Sequence, residues 1–240
     1  MSASPTALGF LAPMPSELKP LQQALSLAAS GRGLDAVHTG SLDDRTVVAL
    51  LTGIGTARAA TRTRHLLASH AVDHVIVIGV AGGLGSDVSV GDVVVPEVVV
   101  DLASGRELRP SPLGSSVPHG RLLTSDDFIT DQDELGRLRD AGAAAIDMET
   151  AAIGRVCEDQ GCRWSVFRGI SDDAFDPSVD EAILGLTRPD GSADLGAVAR
   201  FVTGNPMRLR LLTRLGRDLN AATNGAVDAA LRASRAELSP

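Results

Sequence analysis

The chain has 240 residues, enough for one domain with a large core, and its 44% hydrophobic and 22% charged residues exclude a disordered, collagenous or coiled-coil protein. Twenty-two Lys and Arg against 30 Asp and Glu give a formal charge of −8, which opposes attraction to nucleic acid, so no nucleic-acid partner is expected. Lys19 is the single lysine, so no GxxxxGKS/T phosphate loop can be drawn and Walker-type nucleotide hydrolysis is excluded.

In chain order, Leu8–Ala12 reads as a first strand. A helix over Ser16–Ala29 follows, with Ser16 as its cap and Leu18, Leu21 and Leu25 at helical spacing. Strand Val47–Leu51 runs into the turn Thr52-Gly53-Ile54-Gly55 and a helix over Ala57–Ser69, and strand Val75–Val80 runs into the glycine cluster Gly79–Gly85. The valine run Val93–Val100 is a further strand, in which Pro96 deletes a ladder hydrogen bond and predicts a bend, bulge or edge. Leu102–Gly120, dense in Ser, Pro and Gly, reads as a loop. Strand Ala143–Ile146, helix Glu149–Gln160, strand Ser165–Ile170 and a loop over Thr187–Ala193 come next. Met207–Ala233 is then a long helix with Leu212, Leu215, Leu219, Ala222, Ala226 and Ala230 on one side.

Apolar strands alternating with helical segments predict an α/β fold, and the lack of polar alternation within most strands predicts burial on both faces. No internal repeat or low-complexity tract is present. Met1–Pro15 lacks a basic start and a long apolar core, and the longest apolar stretch, Val75–Val80, is too short to span a bilayer. Cys157 and Cys162, placed on one helix, point apart and are expected to be free thiols. A cytoplasmic location is therefore expected.

The Gly53–Gly55 turn before a helix suggests anion binding, and first a dinucleotide site. The fingerprint fails, because Arg58 stands at its third glycine and Asp73 precedes the next strand instead of ending it. More informative are acids where strands run out: Glu17 after the first strand, Glu149 after Ala143–Ile146 and Asp172 after Ser165–Ile170. Any one alone reads as a helix-capping or first-turn acid. Three together suit glycosidic cleavage, in which one carboxyl protonates the leaving group, another activates water, and hydrogen bonds to sugar hydroxyls strengthen as the ring gains oxocarbenium character. Spacing alone does not separate this from a carboxylate metal site. His38, His65, His70, His74 and His119 show no paired-ligand spacing and read as core or surface histidines, so no metal is expected.

In order and spacing, a set of short motifs resembles the purine nucleoside phosphorylases and their hydrolytic branch, the methylthioadenosine/S-adenosylhomocysteine nucleosidases. They are Met14 with Glu17, Gly53–Gly55, Ala81–Leu84, Val90–Val95, Asp126–Ile129, Met148–Ala152 and Ile170–Asp172. The resemblance implies one domain over residues 1–240 around a mixed, barrel-like sheet flanked by helices, a homodimer, and no metal or organic cofactor. It also implies roles. Asp172 protonates the purine, Glu149 holds the ribose hydroxyls with Met148 beneath the sugar, and Glu17 activates the attacking water. Phe128 stacks on the base and the Ile129 backbone reads its edge, while Val80, Ala81, Gly82 and Ser171 complete the substrate site. Like charge on Asp173 is expected to raise the Asp172 pKa.

Two departures bear on the nucleophile. Val80 stands where the nucleosidases commonly carry serine, and the phosphorylases' phosphate-binding arginines have no clear counterpart, Arg58 being the nearest. Water is thus favoured over phosphate, although Gly53, Ile54, Gly55 and Arg58 could still form an anion pocket in which inorganic phosphate is a co-substrate. Arg188-Pro189-Asp190-Gly191, Asn205-Pro206 and the helix beyond resemble the hopanoid-associated phosphorylase-like branch, which implies an adenosylated lipid as alternative substrate. Arg208, Arg210, Arg214 and Arg217 beside the apolar stripe suggest either a weak membrane-surface contact through 207–219 or a helix, 205–233, packed on its own domain with a solvated basic face. The expected activity is cleavage of an adenine nucleoside; a nucleoside-binding protein without turnover is the alternative of another class.

Overall fold

The computed structural model describes residues 7–179, 183, 185–188, 192, 194–203 and 207–238. β1 (Ala7–Ala12) is buried throughout and leads into α1 (Pro15–Ala24). This helix is shorter than the expected Ser16–Ala29, and Ser16 does not cap it. Pro15 occupies the first turn, where its missing N–H costs nothing, and the Met14 N–H donates to Glu17 Oε2 at 2.7 Å. The left-handed Ser26 (φ 49°) follows the helix, and β2 (Ala28–Ser30) then pairs antiparallel with β3 (Val37–Leu42).

β3 and β4 (Arg45–Leu51) form a hairpin around Asp43 and Asp44. α2 (Thr56–Ser69) and the long β5 (Val72–Gly83) follow. Val93–Val100 is divided as Pro96 predicts, into β6 (Val93–Val94) and β7 (Val98–Asp101). The expected loop 102–120 contains β8 (Glu107–Leu108), paired with β7. β9 (Arg121–Thr124), α3 (Gln132–Asp140), β10 (Ala143–Asp147), α4 (Thr150–Asp159) and β11 (Arg163–Asp173) complete the sheet region. β10 departs from two-sided burial, since Ala144 and Ile146 are only partly covered. Because α4 stops at Asp159, Cys162 lies beyond the helix that holds Cys157, contrary to the shared helix expected; both thiols are free. α5 (Leu195–Thr203) and α6 (Met207–Leu238) end the chain; α5 was not expected, and α6 runs past Ala233.

The fold is a single α/β domain with a mixed sheet. β1 lies parallel between β4 and β5, β11 runs parallel to β5 on the other side, and β10 crosses the end of β5 antiparallel, Ile146 opposite Gly82. The order β2-β3-β4-β1-β5-β10-β9-β7-β8 thus branches at β5 toward β11 and β6. Successive residues of the central strands feed opposite cores. Val75, Val77 and Val166 pack with Ala59, Leu66, Ile153 and Trp164 of one layer, while Ile76, Ile78 and Phe167 pack with Leu18 and Leu21 of α1 and Ala226, Val227 and Ala230 of α6. This two-sided cover explains the strands' unbroken apolar runs. Gly169 is what lets α6 lie so close, because a Cβ there would stand 2.1 Å from the Ala222 carbonyl oxygen. As a result the carboxyl ends of β1, β4, β5 and β11 meet the end of β10 in one place, where open α/β sheets bind ligands.

Candidate active site

Glu17 is 1% exposed and projects from the first turn of α1 toward the end of β5. Its Oε2 accepts the Met14 N–H, and its Oε1 accepts the Val80 N–H at 2.8 Å, so both oxygens are held by backbone at strand ends. Burial pushes this carboxyl up to about 7, against the pull of Arg168 and of the two N–H groups.

Arg168, in the middle of β11, has a side chain with 0% exposure and is surrounded by acids. Its Nη2 lies 2.6 Å from Asp147 Oδ2 and 3.4 Å from Glu149 Oε2, and its Nη1 lies 3.9 Å from Glu17 Oε1. Nε and Nη2 also donate to the Thr150 hydroxyl at 3.2 and 3.0 Å. Burial works to lower this guanidinium's pKa, but Asp147, Glu149 and Glu17 together outweigh it and hold the group above its ordinary value. Asp147 is fixed by hydroxyls from Thr124, at 2.7 Å, and Thr150. Gly79 makes the cluster possible, because a Cβ there would stand 2.3 Å from Arg168 Nη1 and 2.6 Å from Glu17 Oε1, and its φ of 146° disfavours any side chain.

Glu149 is the residue before α4, and its Oε1 accepts the Gly55 N–H at 3.0 Å. Burial first, then like charge on Asp147 and Glu17, pushes it up to about 8 against Arg168 and that N–H. Three carboxylates around one guanidinium leave surplus negative charge whenever all are ionised, and this repulsion adds to the larger effect of burial in raising Glu17 and Glu149.

Asp172 stands across the cavity at the end of β11. The Ser171 hydroxyl donates to its Oδ1 at 2.5 Å. Its pKa is raised, as expected, but chiefly by burial; the Ser171 bond opposes this, and Asp173 and Asp176 add smaller repulsion. Between Glu17, Glu149 and Asp172 lies a cavity of about 520 Å3, lined also by Met148, Val80, Ala81, Gly82, Phe128, Ile129 and Ser171. Its outer wall is apolar, formed by Ile183, Leu186, Val198 of α5 and Leu212, Leu215 and Leu219 of α6. Arg214 ties this wall to the segment after Asp172, donating to Asp176 Oδ2 at 2.6 Å and to the Ser178 hydroxyl at 2.8 Å.

Residues 7–116 and 111–202 match the family described as the phosphorylase superfamily. The chain belongs to the phosphorylase superfamily. Relatives within it include the 5′-methylthioadenosine/S-adenosylhomocysteine nucleosidase of Chromohalobacter salexigens, 35% identical over 56% of this chain and 70% of that protein. The corresponding nucleosidase of Colwellia psychrerythraea is 30% identical over 68% of this chain and 82% of its own length. Among solved structures, the Neisseria meningitidis nucleosidase in complex with methylthio-immucillin-A superposes with a TM-score of 0.72 at 21% identity, covering 98% of this chain and 100% of that one.

Against this superfamily background, most residues singled out from sequence meet at the cavity: Glu17, Val80, Ala81, Gly82, Phe128, Ile129, Met148, Glu149, Ser171, Asp172 and Ile54. The anion pocket does not form as expected. Arg58 is exposed on α2 and does not line the cavity, the Gly55 N–H is taken by Glu149, and the Thr56 N–H and hydroxyl are taken by Asp126 at 2.9 and 2.6 Å. Gly53 is buried beneath the turn. The apolar stripe of the last helix faces inward. Its first half, Leu212 to Leu219, lines the cavity and its second half, Ala222 to Ala230, packs on the sheet, so a membrane contact through 207–219 is left with the arginine face and the exposed Leu209. Of those arginines, Arg214 is engaged with Asp176, and Arg208 lies 4.4 Å over the Phe201 ring. Residues 189–191 and 205–206, which carry the hopanoid-branch likeness, lie outside the described residues. His38 and His74 are buried and bonded to Gln22 and Ser165. Among the described residues no group of three or more His, Cys, Asp and Glu is placed to hold a metal ion, and no helix is long and apolar enough to cross a membrane.

Sequence reasoning missed Arg168 and Asp147, which hold the other acids, and the α6 wall. The signal for Arg168 was available: an arginine inside an apolar strand run can be buried only among carboxylates.

Proposed function

We propose that the chain hydrolyses the N-glycosidic bond of an adenine nucleoside of the methylthioadenosine/S-adenosylhomocysteine type, releasing adenine and a ribose product. The observation that carries this reading is the convergence of Glu17, Glu149 and Asp172 on one cavity with Phe128 beside them. Protonated Asp172 gives its proton to the purine as the bond to the sugar breaks, so the electron pair leaves on a neutral base. The sugar carbon left behind gains positive charge, which the Glu17 carboxylate stabilises, while Glu149 holds the ribose hydroxyls over Met148. Glu17, poised at about 7, takes a proton from water as its oxygen bonds to that carbon.

Water is favoured over phosphate because the surroundings of Glu17 repel anions. Arg168, the buried cation beside it, is committed to three carboxylates, and the donors at the start of α2 are occupied by Glu149 and Asp126. A second reading concerns the 5′ group. The leucine wall of α6 favours a bulky apolar substituent, up to the adenosylated lipid that the C-terminal sequence suggests, over a charged one. The free thiols support a cytoplasmic location, the family likeness supports a homodimer, and the arginines at 208, 210 and 217 support at most a weak contact with an anionic membrane.

The test is adenine release from methylthioadenosine, S-adenosylhomocysteine and adenosine, with and without phosphate. A free ribose sugar formed without phosphate is the expected product. Ribose 1-phosphate formed only with phosphate overturns the choice of nucleophile, and no release from any of the three directs the assay to adenosines with apolar 5′ chains.

A further inference from the structure

Two carboxylates occupy equivalent positions on neighbouring strands. β9 and β10 run parallel with Thr124 opposite Asp147, and Asp126 and Glu149 each follow by two residues. Parallel strands lie about 4.8 Å apart, so the chains leaving them carry these side chains forward side by side. Both reach the first turn of α2, where Glu149 takes the Gly55 N–H at 3.0 Å and Asp126 takes the next N–H, that of Thr56, at 2.9 Å. Asp126 adds a second bond, from the Thr56 hydroxyl to Oδ2 at 2.6 Å. One carboxylate faces the cavity, and the other roots the loop that presents Phe128 and Ile129 to it.

That loop is held at its base by the Ser125 N–H on the Asp147 carbonyl, 2.9 Å, and internally by Ser125 and Asp127 bonding each other. At its far end Asp131 caps α3. Within this set, Asp126 is what joins the loop to α2, across 70 residues of sequence. The start of α2 therefore gauges the spacing between the Phe128 platform and Glu149.

Resting on the functional reading above, we propose that the Asp126–Thr56 pair is a positioning device that fixes the distance between the base subsite and the ribose subsite, so that a nucleoside spanning both is bound as one rigid ligand. Without the pair, the Phe128 loop keeps its own bonds through Ser125, and Glu149 keeps the Gly55 N–H. A ligand filling the base subsite alone gains nothing from the latch, whereas one bridging both subsites depends on their separation.

The experiment is calorimetric binding of free adenine and of an adenine C-nucleoside, whose carbon–carbon link resists hydrolysis, to the wild-type chain and to Thr56→Val, Asp126→Ala and Thr56→Ser, with thermal melts alongside. Thr56→Val and Asp126→Ala are expected to weaken the C-nucleoside about tenfold, the scale of one or two lost hydrogen bonds, and to leave adenine within about twofold. Thr56→Ser, which keeps the hydroxyl, restores wild-type binding. Equal weakening of both ligands, or unchanged C-nucleoside binding in both variants, overturns the positioning role. A fall in melting temperature large enough to leave the variants unfolded shifts the test to Asp126→Asn, which retains one acceptor oxygen and is expected to weaken the C-nucleoside about threefold with adenine unchanged; equal effects on the two ligands overturn the role there too. If the wild type itself binds neither ligand, the functional reading fails and this inference falls with it.

Discussion

Replacing Arg168 by methionine keeps a long apolar stem but removes the cation that three acids share. The Asp147 contact at 2.6 Å is the closest of them, and all the partners are buried, so ionised acids in the variant keep their hydroxyl and N–H donors but have no counter-charge among these contacts. Removing one partner of a buried pair costs about 3–5 kcal/mol, and this applies at pH 8, where the acids are driven to ionise. The sign with pH follows from their pKa values. Glu17 and Glu149 ordinarily titrate near 4.5 and are raised to about 7 and about 8 in the folded chain, so the folded state binds more protons than the unfolded one through that window. Stability contributed by these groups is thus full below about 4.5 and falls as pH rises to about 8. Without Arg168, which lowers both values, the window extends to higher pH. The variant's deficit should be about 3–5 kcal/mol at pH 8 and narrow to about 1–2 kcal/mol at pH 5.5, where protonated Glu17 and Glu149 need no counter-charge. Urea unfolding followed by far-ultraviolet circular dichroism at the two pH values measures it. A deficit that is the same at both pH values, or smaller than about 1 kcal/mol at pH 8, would refute the charge-hub argument.

Asp172→Asn is expected to lower kcat by about 10²–10⁴-fold while adenine still binds, and wild-type turnover would remove Asp172 as the acid. In wild type, kcat/KM should rise as pH increases through about 7 while Glu17 ionises, and Glu17→Gln should remove that rising limb along with most hydrolysis. Gly79→Ala forces Arg168 and Glu17 apart, and initial rates should drop by about 10²-fold, the effect of moving a reacting group by about 1 Å. Retained activity in that variant would show that the cluster tolerates a different spacing.

The acids at strand ends were legible because a charge just past an apolar run has only two uses, capping or chemistry, and three such places in one chain outnumber the ordinary need. Phe128 and Met148 became legible only through motif order. Arg168 was hidden by its setting, since Ser165–Ile170 reads as strand whatever sits at its centre, and its partners lie as far away in sequence as Glu17. Short elements escaped for a similar reason: Arg121–Thr124 is four residues long and owes its strand form to pairing between β7 and β10, not to its own pattern. The stripe on the last helix was read correctly as a face, but periodicity says nothing about what a face meets. Membrane, core and ligand all ask for the same leucines.

The last helix is one unbroken element of 32 residues, about 48 Å long, and it belongs to two parts of the molecule at once. Its second half is fixed against β11, where Gly169 admits the backbone of Ala222, and its first half stands beside the cavity. Substitutions at 212, 215 and 219 can therefore reshape what the cavity accepts while the strands that carry Glu17, Glu149 and Asp172 stay unaltered. A lineage could exchange one 5′ group for another through those few positions, with the bond-breaking apparatus inherited intact.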